Sequence, residues 1–268
     1  MSIADYQSPV SKLLNYGDCR NYKEWPNYVQ ELNLEKKHIP ELIKMATDEE
    51  LNQGDSDSPE VWSPVHAWRA LGQLKAVQAL EALLPLLNNR DDDWISTDFP
   101  TLCTLIGVEA IPYLEKFLAD SSNHFYARSD AAISLQAISN QYPETRESNI
   151  AAMAGELEKF RDNNPIFNGF LISTLVDLQA VETINLIEKA FKANLVDTFI
   201  NGDWSDVQVQ FGLITRDEIP VRQFSQKQKQ ASLFSSNRQT KKVSKGFGSS
   251  KSKTKKKKSR KSSGKRNR

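Results

Sequence analysis

The chain has 268 residues, 39% hydrophobic and 26% charged, enough to bury a sizeable core without disulfides. Its net charge of +1 hides a division: residues 221–268 carry eighteen Lys and Arg and no Asp or Glu, leaving residues 1–220 with seventeen basic against thirty-four acidic residues. A body of −17 and a tail of +18 exclude an ordinary neutral enzyme surface, and a polybasic end is a handle for a polyanion or an acidic protein face.

The first residues, Met1 to Tyr6, have neither the basic start nor the apolar run of an export signal, and no stretch approaches the ~18 apolar residues of a membrane span. Cys19 and Cys103 are the only cysteines, too few and too far apart for a disulfide framework or a four-ligand zinc site. A reducing cytoplasm is the simplest setting. Residues 1–19 read as an N-terminal extension.

Five later segments share one pattern, beginning at His38, Ala76, Ala110, Asn149 and Thr183, with spacings of 38, 34, 39 and 34 residues. In each, apolar residues recur three and seven positions after the first: Ile39/Leu42/Ala46, Val77/Leu80/Leu84, Ile111/Leu114/Leu118, Ile150/Met153/Leu157 and Ile184/Ile187/Phe191. This spacing predicts one face of an amphipathic helix. A second apolar stretch precedes each segment, at 28–32, 65–71, 102–106, 131–138 and 170–178, so each unit reads as a helical hairpin. Gly72 and Gly107 sit where a first helix should stop, and Pro40 and Pro112 in first turns of second helices. Two helices cannot bury their apolar faces alone, whereas stacked hairpins share a core. The expected fold is all-α: a solenoid of about five hairpins over residues 20–213, followed by a linker and basic tail over 214–268. Asp203, three residues ahead of Asp206, reads as a helix N-cap, and residues 195–213 as the cap on the last repeat.

Two strings carry a resemblance: Val65-His66-Ala67-Trp68-Arg69-Ala70-Leu71-Gly72-Gln73-Leu74 ahead of Ala76-Val77, and Ile106-Gly107 ahead of Ala110-Ile111-Pro112. They look like the HEAT-like repeats named after phycobilisome lyases. Trp25-Pro26, Asp55-Ser56-Asp57, Glu60-Val61-Trp62 and Gly202-Asp203-Trp204-Ser205-Asp206-Val207-Gln208 resemble an uncharacterised, often cyanobacterial, group of HEAT-like bacterial proteins over about residues 6–213. Some relatives end in a cysteine-rich SEC-C metal motif. No cysteine follows Cys103 here, so that metal function is not carried over. The resemblance also implies an alternative role, as a chromophore-lyase-like or phycobiliprotein-associated assembly factor.

Candidate interaction residues fall into two groups. Glu81, Glu115 and Glu188 occupy the same position in three second helices, where stacking would align them into a line able to grip a basic partner. The plainer reading pairs them with Lys75, Lys116 or Lys189, where exposed pairs contribute only ~0–1 kcal/mol. Asp55, Asp57, Trp62 and His66 precede and open one first helix, and Asp91, Asp92, Asp93 and Trp94 precede the next. Adjacent solenoid loops emerge on one edge, so these two acidic and aromatic groups are expected together as the partner site, unless the Asp residues serve as caps and the indoles fill gaps between repeats. No catalytic residue is assigned: His38, His66 and His124 belong to different units, Cys103 reads as a small core residue, and neither a phosphate-cradling loop nor a zinc motif occurs. No metal or cofactor is expected.

From residue 223 the composition turns to Gln, Ser and Lys, too poor in apolar residues to offset the entropy of ordering. The tail is therefore expected to be disordered. Its polyanion-binding candidates are Lys251, Lys253, Lys255, Lys256, Lys257, Lys258, Arg260, Lys261, Lys265, Arg266 and Arg268. The resulting expectation is a non-enzymatic, cytoplasmic adaptor whose solenoid binds a protein and whose tail contacts RNA, DNA or a ribonucleoprotein. A tail that only solubilises the chain, or that folds onto the acidic body, is the alternative.

Overall fold

The computed structural model describes residues 6–55, 57–89 and 93–219, with Asp93 described in its backbone only. Among these the secondary structure is helical throughout: α1 (Tyr28–Leu32), α2 (Ile39–Ala46), α3 (Glu49–Asn52), α4 (Ser63–Gln73), α5 (Leu80–Leu83), α6 (Asp93–Ile106), α7 (Ile111–Ala119), α8 (Phe125–Gln141), α9 (Arg146–Glu158), α10 (Pro165–Asp177), α11 (Ile184–Lys192), α12 (Thr198–Asn201) and α13 (Trp204–Gln210). In chain order the five units comprise α1 and α2, α4 and α5, α6 and α7, α8 and α9, and α10 and α11.

The hairpins stack in chain order. In one layer α4 packs on α6, α6 on α8, α8 on α10, and the short α12 on α10; in the other α2 meets α5, α7 meets α9, and α9 meets α11. Each unit touches its neighbours, which is the connectivity of a solenoid. The residues that define the repeat form the seam: Leu42, Leu80, Leu114, Met153 and Ile187 are fully buried. α4 lies between α2 and α6, and every residue from Ser63 to Gly72 is buried, as expected for a helix covered on all sides.

One connection recurs. Asn33, Lys75 and Gln179 follow the first helices in the left-handed region, with φ of 54°, 53° and 51°. A short 3₁₀ turn comes next, at Lys36–His38, Val77–Ala79 and Val181–Thr183, and leads directly into the second helix. The third hairpin uses Gly107 and the turn Val108–Ala110, and the fourth passes through Tyr142 to the turn Pro143–Thr145. Pro40 and Pro112 stand in first turns as expected, where a missing N–H leaves no helical bond unmade.

Gly72 does not stop its helix. α4 runs on to Gln73, and the left-handed residue is Lys75. A Cβ at Gly72 would lie in ordinary van der Waals contact with Leu102 of α6, 3.4 Å from its Cα, so the position is an interior one between α4 and α6. Residues 6–19, set outside the repeats by their pattern, contribute Tyr6, Val10, Leu13 and Cys19 to the core. At the other end Asp203 caps α13 as expected, accepting from the Ser205 and Asp206 amides while Asp206 accepts from the Asp203 amide. Val207 and Phe211 close the core there.

Buried charge is held in pairs. Arg69 grips Asp98 in a two-point contact of 2.6 and 3.2 Å, and the Trp68 indole donates to the same carboxylate at 3.1 Å, tying α4 to α6. Arg128 donates to Glu156 at 2.7 Å and to the Leu118 carbonyl at 2.7 Å, tying α8 to α9 and α7. Among the described residues no helix is long and apolar enough to cross a membrane.

Candidate functional site

Of the two predicted groups, the structure brings Trp62 and Trp94 together at the edge where α4 and α6 start. Trp62 ends the 3₁₀ turn Pro59–Trp62 ahead of α4, and Trp94 lies in the first turn of α6. Their rings meet edge to face with centroids 5.3 Å apart. Both indoles are only partly buried. Arg20, itself paired to Asp18, lies over the Trp62 ring at 4.9 Å.

The two indoles line a groove of about 750 Å³ together with the apolar Val61, Val65 and Leu86 and the exposed Glu49 and Asn52. A second groove, of about 550 Å³, lies between the second and third hairpins, with Tyr113, Phe117 and Pro112 as its apolar wall. Pro85 lines both grooves. Among the described residues, the charged ones bordering them are Glu49, Glu81 and Asp120 against Lys116. Hydrogen bonds from the Ser122 hydroxyl and amide hold the Asp120 carboxyl below the usual carboxylate range, so it is charged at neutral pH.

Asp55 and Asp57 are exposed on the chain leading to this edge, and the Asp55 carboxylate accepts from the Asp57 amide at 3.0 Å, closing a local turn instead of capping a helix. Asp91 and Asp92 lie outside the described residues, and Asp93 begins α6. Trp68, in contrast, is a core residue 1% exposed.

His66 does not belong to the edge. It is fully buried, with Nδ1 2.6 Å from the Tyr28 hydroxyl and Nε2 2.8 Å from the Gly17 carbonyl, among the rings of Tyr16, Tyr22 and Tyr28. A carbonyl only accepts, so Nε2 carries a proton and, in the neutral ring, Nδ1 accepts from Tyr28. Burial pushes the imidazole below its ordinary pKa, against the pull of the Gly17 carbonyl. The sequence placed His66 beside Trp62, but four residues on is one helical turn deeper, where the ring faces residues 16–28.

The line of glutamates separates on inspection. Glu81 borders the second groove. Glu188 pairs with Lys192 at 3.0 Å, one helical turn on, and not with its chain neighbour Lys189. Glu115 is half-buried on α7 and lines neither groove. Tyr113, Phe117 and Pro85, absent from the sequence reading, are the groove residues it missed. Their signal was available: they lie one position off the buried repeat residues Leu84, Leu114 and Leu118, on the flank of the seam.

Cys103 is buried in α6, and burial drives its thiol well above the ordinary range, away from the reactive thiolate. Among the described residues no three His, Cys, Asp or Glu side chains are grouped to hold a metal. The basic candidates from Lys251 to Arg268 lie outside the described residues.

Residues 20–231 match the family described as Protein of unknown function (DUF1186), and the chain belongs to that family. No curated protein and no solved structure matches the chain.

Proposed function

We propose that this member of the family is an interaction adaptor, in which the edge carrying Trp62 and Trp94 receives a protein partner and the basic tail contacts a polyanion. The observation that carries the reading is the indole pair itself. Two large aromatic side chains from consecutive hairpins meet at 5.3 Å and line an open groove, and such rigid anchors dominate binding energies at interfaces. The hairpins are read as HEAT-like repeats, supported by the recurrent left-handed residue, 3₁₀ turn and second helix. The tail's role rests on its eighteen basic residues without a single acidic one, a composition suited to phosphate contacts made without base recognition.

Affinity capture from the native host tests the partner site. The intact chain should enrich a discrete protein, and D91N/D92N/D93N and Trp94→Ala variants should enrich it several-fold less while keeping their helical circular dichroism. Equal capture by all three proteins would refute this edge as the partner site.

A further inference from the structure

We infer that the two grooves form one track for an extended, basic peptide segment carrying apolar side chains between its lysines or arginines. The inference rests on the proposed partner edge and names the chemistry of what sits there. Its first ground is continuity. Pro85, at the start of the short turn Leu84–Asn88, borders both the indole groove and the Tyr113/Phe117 groove, so neighbouring apolar hollows succeed one another along the second and third hairpins. Alternate side chains of an extended segment point the same way, which suits two hollows separated by a proline.

The second ground is charge. Among the described residues three carboxylates border the track, Glu49, Glu81 and Asp120, against one cation, Lys116. The chain that builds the indole groove from one side, residues 47–65, holds six acidic residues and no Lys or Arg. An acidic segment laid there would meet like charge, whereas a basic one meets opposite charge along its length. The third ground is the contact already built at the edge: the Arg20 guanidinium lies 4.9 Å from the Trp62 centroid with Asp18 as its counter-ion. Cations over indole faces are favourable, more so as water is excluded, and here one is paired to a carboxylate as well.

The test uses the full chain and two fluorescein-labelled synthetic peptides, one alternating lysine with leucine and serine, the other with every lysine replaced by glutamine. The lysine peptide should bind, and should weaken as salt is raised. The E49Q/E81Q/D120N variant changes exposed side chains only and should lose about tenfold in affinity for it, the sum of three modest exposed charge contacts. Phe117→Ala and Trp94→Ala should each weaken it, with circular dichroism and melting confirming the fold. Equal binding of both peptides, still sensitive to Trp94→Ala and Phe117→Ala, would overturn the basic character of the occupant while leaving the partner edge standing. Sensitivity to Trp94→Ala alone would overturn the single track. Binding of the lysine peptide that none of the three variants alters, or no binding at all, would overturn the track and its occupant; the capture experiment judges the partner edge separately.

Discussion

His66 is the residue whose chemistry is most constrained by its surroundings, and it yields a pH dependence with a defined sign. Its folded pKa is depressed by burial from an ordinary 6.5, with Arg69 pushing the same way and the Gly17 carbonyl, Asp98 and Asp18 opposing. Between the folded value and 6.5 the unfolded chain binds a proton that the folded ring refuses. The histidine's contribution is therefore complete above about pH 6.5 and is lost as pH falls through that window. Denaturant unfolding should show stability rising as the pH is raised towards about 6.5, with a component of up to about 1.4 kcal/mol per pH unit from this one proton. A His66→Gln variant should lack that component. An identical pH slope in both proteins would show that folding leaves the imidazole pKa where the unfolded chain has it, and would refute its depression by burial.

At the scale of the element, the second helices are short, and their stability comes from the seam. α7 spans nine residues, too few for an isolated helix to persist in water, and its Leu114 is fully buried where α7 packs on α8 and α9. Leu114→Ala should cost about 2–5 kcal/mol, since the lost contacts and the cavity add. Because hairpins stabilise one another through shared interfaces, amide exchange should speed up in α8 and α9 as well as in α7. Leu42→Ala in α2, near the chain's start, should spread less. Loss of protection confined to α7 would contradict coupled hairpins. The terminal element depends on a different device. Gly202 has φ +78°, and a Cβ there would fall against the Asp206 carboxylate that completes the cap of α13, so a glycine is required by both backbone and contact.

Over the whole molecule, charge is divided along the chain: −17 through residue 220 and +18 beyond it. Deleting residues 221–268 should leave the helical signal and the cooperative unfolding of the remainder intact, since that segment supplies no unit of the repeat and, among the described residues, the last buried apolar side chain is Phe211. Full-length protein should bind fluorescent RNA and duplex DNA with an affinity that falls steeply with salt, by roughly 0.9 in logarithmic slope per duplex phosphate neutralised and roughly 0.7 per single-strand phosphate. Removing Lys255 to Lys258 should reduce that slope without altering sequence preference. Equal binding by the full-length and truncated proteins would refute the tail as the polyanion contact.

The sequence alone determined the helical class, the order of the five hairpins, the proline and Gly107 positions, and the Asp203 cap. Each of these is a local matter: a period of apolar residues, a backbone conformation, or a side chain reaching an amide two or three residues away. It also brought the Trp62 and Trp94 segments to one edge, because a repeating hairpin returns equivalent loops to the same side. Tertiary packing decided the rest. Gly72 looks like a stop, yet α4 runs on to Gln73 with Gly72 buried against Leu102 of α6, and the left-handed turn falls at Lys75. His66 reads as a polar neighbour of Trp62, yet its fate depends on Gly17 and Tyr28, residues 49 and 38 positions away. The groove that joins Pro85 to Tyr113 and Phe117 is a gap between two hairpins, and its width depends on how deeply the leucines beside it sink into the seam, which no single segment specifies.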